Sequence, residues 1–170
     1  MTNDVLLRDV QDSDLPVFFE QQLDPQATRM AAFPSRSRDA FMAHWKKSLT
    51  GDAVIKTIIF RGNVAGNIVC WEEPDERKVG YWIGREYWGK GVASTALSLF
   101  LREVQVRPLY ARASKHNTAS IRVLQKCGFT IAGEDKFLGP DGEEDEEFIL
   151  LLGAKDEDMT LPSPKPGRPR

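Results

Sequence analysis

Cysteine and histidine are both scarce. The 170 residues contain two cysteines, Cys70 and Cys127, and two histidines, His44 and His116. The cysteines lie far apart, without paired spacing and without a histidine beside either, so neither a zinc site nor a disulfide framework is expected. Two histidines leave little for any other metal centre. An excess of one charge is missing as well. The 23 basic and 25 acidic residues give a net charge of -2, which offers no electrostatic case for a nucleic-acid partner. No apolar window nears the length of a membrane span. The opening MTNDVLLRDVQDSD lacks the basic head and apolar run of a secretory signal. A reducing cytoplasm is the expected compartment.

What is present is a chain with 41% apolar residues, enough for one domain with its own core and too short for two comfortable ones. Residues 4–10 read as a first strand. Asp12 or Ser13 caps a helix running to residue 22, with Pro16 in its first turns. Residues 23–35, broken by Pro25 and Pro34, read as a loop. Ser35 or Ser37 precedes a second helix over 37–49, where Phe41, Trp45 and Leu49 recur every four residues. Residues 53–60 and 64–71 are β-rich runs joined by Gly62-Asn63, a hairpin signal. After the Pro74-Asp75 turn, KVGYWIG (78–84) is a third consecutive strand. Ala93, Ala96, Leu97, Phe100, Leu101 and Val104 then mark a helix burying one face. A short strand (109–114) and a helix (117–127) closed by Gly128 follow. Residues 129–137 and 147–152 read as a final antiparallel pair across the Gly139–Gly142 turn. Residues 1–153 thus form the expected domain. From 154 to 170 the chain is proline-rich without aromatics and reads as an extended tail.

The most informative stretch is REYWGKGVAS, residues 85–94, between a strand and a helix. Gly89 and Gly91 bracket Lys90, and the helix starts directly after. Such a turn exposes backbone N–H groups at the positive end of a helix dipole, a geometry that cradles a phosphate or diphosphate. Glycine is needed where a Cβ would block close approach or forbid the backbone angles. The plainer reading is a tight strand-to-helix turn with no ligand. GREYWGKG nearly fits a nucleoside-triphosphate loop, but Gly91 stands where the magnesium-binding hydroxyl belongs. A dinucleotide fingerprint needs a third glycine, and Ser94 occupies that position.

The second informative stretch is ASKHNTASIRVLQKCGF, residues 113–129. Asn117, Ser120, Ile121 and Leu124 share one helical stripe, so two polar side chains stand beside apolar packing. Taken alone, Asn117 is a good N-cap and Ser120 a surface serine. Taken with the Gly-x-Gly turn, the order is strand, glycine turn and helix, strand, then Asn-x-x-Ser followed, after seven intervening residues, by Gly-Phe. This resembles the GNAT acetyltransferases over residues 4–152, most closely the branch of ribosomal-protein N-terminal acetyltransferases. The resemblance implies a mixed α/β fold with a central, mostly antiparallel sheet, splayed middle strands and helices on both faces. It implies acetyl-CoA as cofactor and an amine, small molecule or peptide N-terminus, as acceptor.

Residue by residue, the resemblance assigns the backbone amides of Gly89, Lys90, Gly91, Val92 and Ala93, in a loop continuing to Ser94, to the cofactor's diphosphate. Backbone groups of Trp82 and Ile83 are assigned to the pantetheine arm and acetyl carbonyl, with the Ile83 N–H as oxyanion donor. Trp82 and Trp88 are candidates to line the cleft. Asn117 is assigned to the cofactor, and Ser120 stands where that branch has a serine proposed to protonate the leaving thiolate. Two positions depart from the wider family: Glu86 replaces a Gln or Arg, and Leu124 replaces a tyrosine used as general acid. Glu72, with Glu73, is the expected general base by topology, against a reading as exposed carboxylates before a turn. EEDEEF (143–148) is a candidate to attract a cationic acceptor, or else a solvated turn and strand face. Asp24 and Arg29, in the 23–35 loop, are candidate acceptor contacts. A non-catalytic acyl-CoA-binding or regulatory module is the alternative function, with a nucleotide-binding enzyme behind it. Homodimerisation is left open.

Overall fold

The computed structural model describes residues 4–31, 35–74, 76–139 and 142–153. Among these residues seven strands form one sheet: β1 (Val5–Asp9), β2 (Val54–Phe60), β3 (Asn63–Glu73), β4 (Glu76–Ile83), β5 (Leu109–Ser114), β6 (Thr130–Leu138) and β7 (Glu144–Leu152). Their spatial order is β1-β2-β3-β4-β5-β7-β6. Every neighbouring pair is antiparallel except β4 and β5, which run parallel and register at one position only, Lys78 opposite Tyr110. Beyond that position the two middle strands diverge, as the resemblance implies.

Among the described residues five α-helices cover the sheet: α1 (Leu15–Gln22), α2 (Pro25–Ala31), α3 (Arg38–Leu49), α4 (Val92–Glu103) and α5 (Thr118–Lys126). Strand side chains alternate between faces, so the apolar residues divide into two cores. On one face, Val92, Ala96, Leu97 and Phe100 of α4 pack with Ile58, Ile68, Val79, Leu109 and Leu150. On the other, Phe18 and Phe19 of α1 and Phe41 and Trp45 of α3 cover Ile55. There the Phe18 and Trp45 rings stand 5.0 Å apart and the Phe19 and Phe41 rings 5.4 Å apart. Such pairs add to the area term by about 0.5–1.5 kcal/mol each.

One buried charge anchors β1 and α1 to β2. The Asp14 carboxylate, 1% exposed, accepts from both Arg8 Nη atoms at 2.7 and 2.9 Å, the Gln11 N–H at 2.9 Å and Thr57 Oγ1 at 2.7 Å. Burial acts to raise its pKa, but these hydrogen bonds and the Arg8 charge outweigh it and leave the pKa below the ordinary carboxylate value.

The structure corrects two boundaries. The stretch read as a loop over 23–35 holds α2, because Pro25 starts a helix rather than breaking one. Asp24 caps it, its Oδ1 accepting from the Gln26 N–H at 3.0 Å and its carbonyl from the Thr28 N–H at 3.0 Å. Strand β7 begins at Glu144 rather than 147. Its acidic start is tolerated because basic neighbours neutralise it: Lys115 Nζ bridges Glu134 at 2.6 Å and Glu146 at 3.0 Å, and Arg112 holds Glu147 at 2.7 Å. The tail 154–170, Pro34, Asp75 and the middle of the Gly139–Gly142 turn lie outside the described residues.

Candidate active site

The divergence of β4 from β5 opens a cavity of about 380 Å³ walled by α2, the end of β4, the glycine turn and the first turns of α4 and α5. Backbone direction decides which groups face it. In an antiparallel ladder, alternate residues turn both their N–H and C=O toward the neighbouring strand. The Gly84 N–H donates to the Ala65 carbonyl at 2.8 Å. Gly84 and Trp82 therefore face β3, while Ile83 and Tyr81 face the gap. A Cβ added at Gly66 of β3 would lie 2.0 Å from the Trp82 carbonyl oxygen, which fits that direction. The ladder thus brings the Ile83 N–H to the gap. It corrects the expectation for Trp82, whose backbone groups are turned into the sheet. The Trp82 side chain still borders the cavity, and its Nε1 donates to the Gln21 carbonyl at 3.3 Å.

The glycine turn runs from Gly84 through a 3-10 turn (Arg85–Tyr87) to α4. Gly89 has φ +75 and Gly91 φ +77, both in the left-handed region, and among the described residues no atom beyond the chain neighbours lies within 4 Å of a Cβ built at either. Gly91 is the N-cap of α4, and among the described residues no side chain caps the helix. The first helical bond runs from the Thr95 N–H to the Gly91 carbonyl at 3.1 Å, so the N–H groups of Val92, Ala93 and Ser94 precede the ladder. Trp88 braces the turn, its Nε1 donating to the Ile83 carbonyl at 2.9 Å. Arg85 ties the turn to α2, pairing with Asp24 at 3.1 Å and donating to Gln26.

The third wall is the start of α5. Asn117 Oδ1 accepts from the Ser120 N–H at 3.2 Å, so one lone pair of the oxygen serves the cap while the amide group borders the cavity. Ser120 Oγ lies 2.8 Å from Tyr81 Oη, which reaches it from β4. Burial pushes the Tyr81 phenol up to about 12, with the Ser120 hydrogen bond acting the other way.

Of the residues singled out in the sequence, Trp82, Ile83, Trp88, Gly89, Gly91, Val92, Ala93, Ser94, Asn117 and Ser120 all border this one cavity. The Lys90 side chain is exposed and outside the lining. Glu72 is not brought to the site. Because β3 and β4 are antiparallel, the end of β3 lies beside the start of β4: Glu72 registers with Arg77, whereas Ile83 registers with Gly66. Six residues of strand put Glu72 about 20 Å from the Ile83 position. Glu72 pairs with Arg77 at 3.1 Å, and Glu73 with Lys78 at 2.8 Å. The Lys78 and Trp71 hydrogen bonds hold the Glu73 carboxyl below its ordinary range, the reverse of what a base needs. Asp24 is engaged by Arg85, Arg29 is exposed, and the acids of 143–148 serve the basic partners of β7. Burial raises the thiols of Cys70 and Cys127, leaving both poor nucleophiles. Leu124 is buried in the core. The missed residue is Tyr81. Its signal was the strand alternation in Tyr81-Trp82-Ile83, which sets Tyr81 on the α5 side beside Ile83.

The chain belongs to the GNAT acetyltransferases: the profile of the acetyltransferase (GNAT) domain matches residues 4–130. It is 28% identical over 147 residues to the N-acetyltransferase p20 of Bacillus licheniformis, itself uncharacterised, covering 78% of this chain and 82% of that protein. Solved structures share the fold, among them two with bound cofactor. One is RimL, the ribosomal L7/L12 alpha-N-protein acetyltransferase in complex with coenzyme A, with TM-score 0.76 and 18% identity over 89% of this chain and 94% of that one. The other is spermidine N-acetyltransferase from Vibrio cholerae in complex with CoA and spermine, with TM-score 0.76 and 17% identity over 89% of this chain and 96% of that one. Among the described residues no helix is long and apolar enough to cross a membrane.

Proposed function

We propose that this protein transfers the acetyl group of acetyl-CoA to a primary amine, with both substrates bound together. The observation that carries this reading is the pair of left-handed glycines at the head of α4, with empty space where side chains would stand. That space and the unpaired first-turn amides fit a diphosphate. The amides from Gly89 to Ala93 hold it, the apolar wall of Ala27, Met30 and Trp88 receives the arm, and the Asn117 amide donates to the arm's polar groups. Bound acetyl-CoA supplies the activated thioester. The Ile83 N–H, directed into the gap, donates to the oxygen that gains charge. Ser120 stands on the opposite wall, where the departing sulfur needs a donor.

The ionisable residues lining the cavity are Tyr81, Tyr87 and Arg122, with no carboxylate among the described ones. The acceptor must therefore arrive largely neutral. An α-amino group with pKa near 8 is about 10% neutral at pH 7, whereas a lysine-type amine near 10.4 is about 0.04% neutral. The difference, about 200-fold, favours an α-amine such as a peptide N-terminus over a polyamine. Coenzyme A release measured with N-terminal peptides, amino acids, polyamines and aminoglycosides tests the proposal. Peptide N-termini are expected to give the highest kcat/KM at pH 7. Coenzyme A binding with no release over the whole panel would overturn it in favour of a non-catalytic acyl-CoA-binding module.

A further inference from the structure

Tyr81 and Ser120 meet from elements that the sequence separates by 39 residues. Among the described residues each hydroxyl has the other as its only hydrogen-bond partner, at 2.8 Å, and both side chains border the cavity. A hydroxyl has one proton to give and two lone pairs to receive with. If serine donates to tyrosine, its proton is spent inside the wall. If tyrosine donates to serine, the serine proton is left for the cavity. The phenol is the stronger acid of the two and so the better donor. Burial keeps it protonated far above neutral pH, with Cys127 the other titratable group that bears on it. The serine backbone is already fixed by the Asn117 cap, so the direction of its hydroxyl is the remaining freedom.

We infer that Tyr81 is a positioning residue for the transfer: its phenol donates to Ser120 Oγ and turns the serine's single proton toward the sulfur of the leaving coenzyme A. The inference rests on the proposed acetyl transfer. In that reaction the amine nitrogen forms a bond to the acetyl carbon as the carbon–sulfur bond breaks. The electron pair of the broken bond moves to sulfur, which takes the serine proton, and the proton lost by nitrogen returns through solvent to the serine oxygen. The products are an amide and a thiol, and both hydroxyls end as they began. A phenol at about 12 keeps its proton against a thiol that titrates near 8.5, so Tyr81 remains a donor throughout. The phenol here comes from β4 and acts through serine.

The test is a double-mutant cycle on Tyr81→Phe and Ser120→Ala, with coenzyme A release and cofactor binding measured separately. Tyr81→Phe keeps the ring and removes one oxygen. It is expected to lower kcat about tenfold, the size of one hydrogen bond acting on developing charge, while the dissociation constant for coenzyme A stays within about twofold. In the Ser120→Ala background the same change is expected to do nothing more, because the group it acts through is gone. A wild-type kcat for Tyr81→Phe, or losses that multiply in the double variant, would overturn the inference while leaving acetyl transfer intact. Absence of release by the wild type with every amine would overturn both. Should Tyr81→Phe fail to fold, a polyfluorinated tyrosine at position 81, acidic enough to ionise in the working range, supplies the second reading. Turnover is then expected to fall as that phenol loses its proton, and a profile unchanged from wild type would count against the role.

Discussion

Replacing Gly91 by alanine separates two consequences of one backbone conformation. Gly91 sits at φ +77, and among the described residues no atom beyond its chain neighbours lies within 4 Å of the position a methyl would take. The methyl therefore meets no clash in the free protein, and the folding cost is the left-handed conformation alone, about 1–2 kcal/mol. For a domain of this size that lowers the melting temperature by about 2–8 °C. The effect on coenzyme A is separate, because the methyl projects into the space assigned to the diphosphate. Displacing a phosphate oxygen from one backbone amide forfeits a hydrogen bond to a charged group, about 1.5–3 kcal/mol, which is about 10- to 150-fold in Kd. Gly62, at φ +83 in the β2–β3 hairpin with equally open surroundings, is the matched control. Gly62→Ala is expected to lose the same stability and no affinity. Melting curves with and without coenzyme A, followed by calorimetric titration, read both quantities. A folded Gly91→Ala that binds coenzyme A within about threefold of wild type would refute the assignment of the turn, whatever its stability.

Gly66→Ala is expected to cost about 3 kcal/mol or more, since its Cβ would lie 2.0 Å from a backbone oxygen that cannot swing aside; chemical denaturation measures it, and a loss below about 1 kcal/mol would show that β3 and β4 can separate there. Asp14→Asn is expected to destabilise by about 2–3 kcal/mol at pH 7, less than a fully buried pair because Arg8 is 30% exposed. The folded pKa of Asp14 lies below the unfolded one, so this stability is present above about pH 4 and is lost as pH falls through the folded value. Wild-type and variant stabilities should converge in acid, and a constant gap down to pH 2 would disprove the linkage. Glu72→Gln is expected to leave coenzyme A release within about twofold and stability within about 0.5 kcal/mol, as for an exposed ion pair; a loss of turnover above tenfold would restore it as the base.

The parts of the site legible in the sequence are those set by local chemistry. Gly89 and Gly91 are informative because only glycine accepts positive φ at little cost, and Asn117 because a cap side chain must be short and polar. What escaped depends on the partner of a residue rather than its type. Pro25 reads as a breaker until Asp24 caps the helix it starts. Glu72 looks adjacent to the site along the chain, but antiparallel pairing carries it to the far end of β4. Tyr81 gains its meaning from a serine on another element. The run at 143–148 reads as a turn until Lys115 and Arg112 supply the opposite charges that let it extend.

The single registered pair between β4 and β5 has a mechanical consequence. The sheet consists of two halves, β1–β4 and β5–β7–β6, sharing one backbone rung at Lys78 and Tyr110. A molecule wedged into the opening supplies the rungs that the protein leaves out, and it stitches the halves together. Amide exchange along the facing edges of β4 and β5 should then slow on binding even at residues the molecule never touches.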